Sequence, residues 1–321
     1  MIIAITGAIS MLGVATIKCC IKNDISVIAF IRQDSKRIDR LPKSELVKVV
    51  ECALSEMSDF DAENLYADVQ IHFSWGFTDK IGRNDVSKQI KNIQYTIDAV
   101  HLAKRLGCKK FIGAGSQAEY GTPNVKLTAK TPVDSLIPYG VAKYAAVRFA
   151  AMECKKEGLE YNRIRILSIY GEHDNEGTLL NQLIHNAKKN IPMRLSGCEQ
   201  IWDYLHEDDA EAAFVAVARK GVDGKIYPLG SGVGRPLKEY VHDTISVVNP
   251  DYKPEYGKYM YSPIQPMYLV ADVCELGVDT GWNCIKCFKD RIVDVFIKIT
   301  SGEGGDSIVF SHYVDYCGKV A

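Results

Sequence analysis

Six short runs rich in β-branched residues, several of them separated by helical patterns, restrict the fold more than any other feature of the sequence. Ile2–Ile5, Val27–Ile31, Val47–Val50, Val69–Phe73, Lys110–Gly113 and Asn162–Ile166 read as strands. The helical patterns are Met11–Lys22, Val86–Leu106 and Tyr139–Lys156, the last two closing at Gly107 and Gly158. Parallel strands need crossover helices, so this alternation predicts an α/β fold, a doubly wound parallel sheet covered on both faces, over residues 1–171. Beyond Tyr170-Gly171 come a polar loop at 172–177, a helix at Leu179–Lys189 and a Pro/Gly/Tyr-rich stretch at Pro250–Pro266. Helix Asp208–Arg219 and strand Lys225–Leu229 predict that residues 202–232 return to the sheet. The remainder of 172–298 is then a smaller interleaved lobe at the carboxyl ends of the strands, where α/β proteins bind ligands. Residues 299–321 are expected to be a tail.

The first strand runs into Thr6-Gly7-Ala8-Ile9-Ser10-Met11-Leu12-Gly13 and then a helix. Gly7 permits a tight turn, Gly13 lets the helix pack closely on the strand, and the amides of the loop and helix start face an anion. Gly7, Ser10, Met11, Leu12 and Gly13 are therefore candidates for holding a dinucleotide pyrophosphate. Ser10 stands where a middle glycine is usual, and its hydroxyl can itself donate to a phosphate oxygen. A carboxylate at the end of the second strand would hold the adenosine ribose of NAD, but the chain has Arg32 there, followed by Lys36 and Arg37. Arg32 can pair with the 2′-phosphate of NADP, which makes NADP the expected cofactor and NAD the alternative.

Tyr139-Gly-Val-Ala-Lys143 sets a phenol and an ammonium four apart on one helix face. A free phenol titrates near pH ~10, and a neighbouring cation is the direct way to make it acidic enough for proton transfer near neutrality. The spacing alone also describes an exposed helical pair with the lysine stem lying on the ring.

A formal net charge of -1, with no long block of Lys or Arg, argues against a nucleic-acid or anionic-membrane partner. No apolar run reaches bilayer-spanning length, and a cytoplasmic protein is expected. Ten cysteines are scattered through the chain and read as reduced. Cys284-Ile-Lys-Cys287 has the spacing of half a zinc site without a second pair, so no metal is expected.

Together these features resemble the extended short-chain dehydrogenase/reductases, the NAD(P)-dependent nucleotide-sugar epimerase, dehydratase and reductase family with its Rossmann-type domain. The resemblance rests on Thr6-Gly7 to Gly13, Asp68-Val-Gln-Ile-His72, Asn92, Ser116 four residues before Tyr120-Gly121, Tyr139-x-x-x-Lys143, Arg165 to Tyr170-Gly171, and Asp203 to Asp209. It implies that Tyr139 is the acid/base, that Lys143 binds the nicotinamide ribose and lowers the tyrosine pKa, and that Ser116 holds the reacting oxygen. It further implies that Ser74 and Asn92 belong to the cofactor side, that the substrate is a nucleotide-sugar, and that a homodimer forms through the helices around Val86–Leu106 and Tyr139–Lys156.

Departures from the family pattern narrow the reading. Dehydratases of this family carry an Asp-Glu pair after the Ser/Thr, and here Gln117 and Ala118 stand in those places, neither an acid nor a base. Cys52-Ala53 replaces an aspartate that often meets adenine, and Trp202 replaces the arginine before Asp203. Tyr120, His173, Asn181, Arg194, Trp202 and Arg235 are expected around the nucleotide-sugar, each with interlobe packing as the alternative. The expected activity is reduction of a nucleoside-diphosphate 4-keto-6-deoxyhexose by NADP-dependent hydride transfer. A nucleotide-sugar 4-epimerase with bound NAD and a non-catalytic dinucleotide-binding protein are the alternatives.

Overall fold

The computed structural model describes residues 1–285 and 287–301 of the 321-residue chain. In order, the main elements of the first part are β1 (Ile2–Thr6), α1 (Met11–Lys22), β2 (Ser26–Ile31), β3 (Val47–Glu51), β4 (Val69–His72), α2 (Val86–Arg105), β5 (Lys110–Ser116), α3 (Pro138–Glu157) and β6 (Glu160–Ile166). They are followed by β7 (Ser168–Tyr170), α4 (Leu179–Lys189), β8 (Ile201–Trp202), β9 (Tyr204–His206), α5 (Glu207–Lys220) and β10 (Ile226–Leu229). The last are β11 (Arg235–Pro236), α6 (Leu237–Val248), β12 (Tyr268–Leu269), α7 (Cys274–Thr280) and α8 (Phe288–Ser301).

Seven parallel strands form one sheet in the order β10-β6-β5-β4-β1-β2-β3. The chain starts at β1, winds outward to β3, then crosses back to β4, so the sheet reverses between β1 and β4. Several of its strands are nearly continuous apolar runs because both faces are covered. On one face α1 and α5 seal a core around Ile3, Ile5, Ile71, Ile164 and Phe214. On the other, α2 and α3 enclose Ala4, Phe30, Phe111 and Tyr161. The β/α unit of α5 and β10 lies in the same sheet, with β10 beside β6.

Local chemistry sets the helix ends. Ser10 caps α1 by accepting from the Gly13 amide at 3.1 Å, and Asp85 caps α2 through the Lys88 amide at 3.1 Å. Pro138 opens α3 and Gly158 closes it at φ 71°. A third core joins α4, α6 and α8 through Leu183, Tyr240, Val241, Ile292 and Val295. Three-stranded β11-β8-β12 and two-stranded β7-β9 sheets accompany it. Asp203, at 0% exposure, ties this part together by accepting from the Ser231, Gly232 and Ala271 amides at 2.6, 3.0 and 3.1 Å. Helix α8 continues through residues 299–301, which corrects the expected start of the tail; residues 302–321 lie outside the described residues.

Candidate active site

Where the sheet reverses, Gly7 has φ 72°, and a Cβ there would lie 2.8 Å from the Ser74 amide nitrogen. At Gly13 a Cβ would sit 2.3 Å from the Gly7 carbonyl oxygen, so only glycine lets α1 approach this closely. The Gly7–Gly13 turn and Ser74 thus face each other across the mouth of the sheet. Ser10 Oγ accepts within the helix cap, and the amides of Met11 and Leu12 lie in the open first turn of α1. Arg32 is exposed just past β2 and has no ion-pair partner among the described residues.

Asn92 is buried rather than a surface polar group. Its side chain accepts from the Gly76 amide at 2.7 Å and donates to the Gly76 carbonyl at 3.0 Å, pinning the loop after β4 to α2. Gln89 holds the same loop: it accepts from Trp75 Nε1 at 3.0 Å and donates to the Phe77 and Gly82 carbonyls at 3.1 and 2.9 Å.

Ser116 ends β5 and starts a short 3-10 turn in which its Oγ accepts from the Ala118 amide at 3.2 Å. Tyr139 and Lys143 lie on the first turns of α3, and the Ser116 hydroxyl faces the phenol. Lys143 Nζ donates to the Ala114 carbonyl at 3.0 Å, lies 3.9 Å from the Trp75 ring centre and 5.9 Å from that of Tyr139. Burial, helped by the nearby Arg163 cation, pushes the Lys143 pKa down to about 7. Burial raises the Tyr139 phenol above its usual value, and the Arg83 guanidinium, the Ser116 hydroxyl and, to a smaller extent, the Arg163 cation oppose this. Lys143 is the group expected to lower the tyrosine pKa, and Arg83 and Ser116 stand beside the phenol as further groups acting in that direction.

Glu119 is a group the sequence reading passed over. At 0% exposure it accepts from the Ser116 amide at 2.6 Å and from Arg165 Nε at 2.9 Å, and it pairs with Arg163. Arg163 in turn donates to the Lys143 carbonyl at 3.1 Å. One carboxylate thus anchors Ser116 directly and α3 through an arginine. The signal was present: Ser116-x-x-Glu119 is a capping-box spacing, and Arg163 and Arg165, two apart on a strand, share a face.

The expected substrate contacts separate. Tyr120 is 1% exposed with its hydroxyl donating to the Thr128 carbonyl at 2.8 Å, so it is a core post and not a substrate contact. Arg194 has a 67% exposed side chain and, among the described residues, pairs with Glu255 at 3.8 Å, which makes it a surface residue. Asn181 braces the 172–177 loop by donating to the Asp174 and Asn175 carbonyls. His173 lies partly buried beside Glu172, near Arg40, Lys18 and Lys298, and burial lowers its pKa. Trp202 is in β8, and its buried indole N–H has no acceptor among the described residues. Arg235 pairs with Glu239 and Asp243 and borders a cavity of about 290 Å³ with Tyr170, Tyr204, His206, Tyr240 and Phe288.

A doubly wound sheet with a glycine turn at its reversal and a Ser, Tyr and Lys beside it defines a dinucleotide-binding α/β enzyme. The chain belongs to the NAD dependent epimerase/dehydratase family, whose model matches residues 3–230. It is 23% identical over 248 residues to the CDP-abequose synthase of Salmonella muenchen, covering 74% of this chain and 76% of that protein. Among solved structures it resembles a UDP-glucose 4-epimerase with UDP-glucose from Thermotoga maritima, with a TM-score of 0.83 at 18% identity over 95% of this chain and all of that one. It also resembles the Bordetella bronchiseptica enzyme WbmG in complex with NAD, with a TM-score of 0.80 at 17% identity over 94% of each chain. These structural likenesses establish the fold. Among the described residues no helix is long and apolar enough to cross a membrane.

Proposed function

We propose that this enzyme is an NADP-dependent ketoreductase of a nucleoside-diphosphate 4-keto-6-deoxyhexose. Gly7–Gly13, Ser74 and Arg32 would hold the dinucleotide, which when bound would exchange hydride with the sugar carbon. Tyr139 gives its proton to the carbonyl oxygen as the charge develops, and Ser116 donates a hydrogen bond to that oxygen. Lys143 holds the nicotinamide ribose, and Asn92 and Gln89 keep the loop after β4 closed over it. Residues 172–298 hold the nucleotide-sugar, with Trp202 and Arg235 as the best-supported contacts and His173 on the 172–177 loop as a further one.

The observation that carries the reading is the state of Glu119. It is the only carboxylate in the segment where dehydratases keep their extra acid and base, and it is committed to two arginines and a backbone amide. Proton transfer to one oxygen is provided for, and elimination of water is not. The purified protein should oxidise NADPH with dTDP- or CDP-4-keto-6-deoxyglucose. Absence of consumption with every such donor sinks the reading, and tightly retained NAD with no net cofactor turnover favours a 4-epimerase.

Arg32 makes the cofactor preference testable. Arg32→Glu is expected to weaken NADPH binding about 10–100-fold, the effect of losing a charged hydrogen bond, while leaving NADH binding unchanged or improved. Fluorescence titration with both cofactors checks this; equal losses for the two would contradict the assignment.

A homodimer through α2 and α3 is part of the same proposal. Val86, Ile90, Val141, Phe149 and Met152 leave an exposed apolar face along these helices, with Ile90 57% exposed. Sedimentation should give a dimer, and Ile90→Lys with Met152→Lys should give a monomer; a wild-type monomer rejects this part.

A further inference from the structure

A cation outside the expected Ser, Tyr and Lys set lies against the reacting phenol. Arg83 sits in a short 3-10 turn, Gly82–Asn84, between β4 and α2. Its guanidinium carbon is 4.0 Å from the centre of the Tyr139 ring. The turn is fixed from several sides: Asp79 accepts from the Ile81 and Gly82 amides at 3.0 Å each, and Gln89 donates to the Gly82 carbonyl. Trp75 meets Tyr139 edge-on with ring centres 6.0 Å apart, and Lys143 lies over the Trp75 face. Among the described residues no carboxylate pairs with Arg83, so its charge is directed at the phenol ring rather than neutralised nearby.

We propose that Arg83 is a positioning residue of the reaction: it orients the Tyr139 ring and stabilises the phenolate left when Tyr139 gives up its proton. This rests on the acid/base role proposed for Tyr139. In that role the phenol would lose its proton to the substrate oxygen when a bound dinucleotide supplied hydride to the carbonyl carbon, and water would later restore the proton. Between those events a negative charge would stand on a half-buried ring. Lys143 is 5.9 Å from the ring centre and engaged with the Ala114 carbonyl, and burial lowers its pKa. Arginine keeps its charge throughout, and a guanidinium over an aromatic face is attracted to it.

The groups facing Tyr139 are Arg83 from the turn before α2, Ser116 at the end of β5, Glu119 just after it, Arg163 from β6 and Lys143 from α3 itself. Glu119 opposes phenolate formation and Arg163 favours it, but those two are bound to each other. Ser116 donates at close range, and Arg83 is the cation in contact with the ring. Removing it leaves the other four in place.

The test follows the Tyr139 ring in the cofactor-loaded protein by NMR of carbon-13-labelled tyrosine, its resonance identified by loss in Tyr139→Phe. Arg83→Met should raise the Tyr139 titration by roughly one pH unit, since removing a nearby cation disfavours the anion. Arg83→Lys should restore most of the shift, and the alkaline limb of kcat/KM for ketone reduction should move with it. Should Arg83→Met not fold, Arg83→Gln is read in the same way. An unchanged titration and limb overturn the proposal. If Tyr139→Phe turns over like the wild type, the acid/base reading falls instead, and the two failures are distinct.

Discussion

Tyr139→Phe is expected to lower kcat by about 10²–10⁴-fold, the usual worth of a positioned general acid or base, while leaving cofactor binding intact. Deleting one hydroxyl leaves the ring in place, so its contacts with Arg83 at 4.0 Å and Trp75 at 6.0 Å persist. The loss should therefore fall on turnover and not on stability. Steady-state kinetics with a thermal melt of the same sample checks both halves. Undiminished turnover would mean that the proton comes from elsewhere. Ser116→Ala removes a donor at the same oxygen and should affect kcat in the same direction.

Glu119→Ala should have the largest effect on folding, destabilising the protein by about 3–5 kcal/mol. Glu119 neutralises two buried arginines, and without it Arg163 and Arg165 are left charged in the core. The same change frees the Ser116 amide and loosens the Arg163 link to the Lys143 carbonyl. Loss of turnover should therefore accompany loss of stability, even under conditions where the variant remains folded. Denaturant unfolding of the two proteins measures the first effect; a difference below about 1 kcal/mol would show the cluster to be weakly coupled to the fold.

The first half of the fold is legible in the sequence for a definite reason. Runs such as Ile2–Ile5 are buried on both faces and need no long-range partner to be recognised, and Ser10, Gly107 and Gly158 mark helix limits within a residue or two. Helix α1 runs from Met11 to Lys22 as its pattern predicts. The later elements are harder because β8, β11 and β12 are two residues each, too short to carry a period. Helices α6 and α8 do carry spaced apolar residues, Leu237, Tyr240 and Val241 in one and Ile292, Val295 and Phe296 in the other, yet the Pro/Gly-rich segment around them obscures the pattern.

The site divides along the same line. Gly7, Gly13, Asn92, Ser116, Tyr139 and Lys143 are local or family spacings, and the fold brings them to the mouth of the sheet. Arg83 and Trp75 lie in an irregular loop whose path is set by Gln89, Asn92 and Asp79, and no spacing announces them. Tyr120 shows the reverse error: a tyrosine in a functional segment attracts a functional reading, while its hydroxyl is held by the Thr128 carbonyl inside the protein. Burial decides such cases, and a single sequence does not report it.

The most direct measurement follows the hydride itself. NADPH deuterated on the transferring face is mixed with CDP- or dTDP-4-keto-6-deoxyglucose, and the sugar nucleotide is analysed by mass spectrometry and NMR. Stoichiometric NADP release with one deuterium at C4 of the sugar is the predicted result. A sugar that is epimerised without net cofactor oxidation, or that acquires no deuterium, would contradict the assignment.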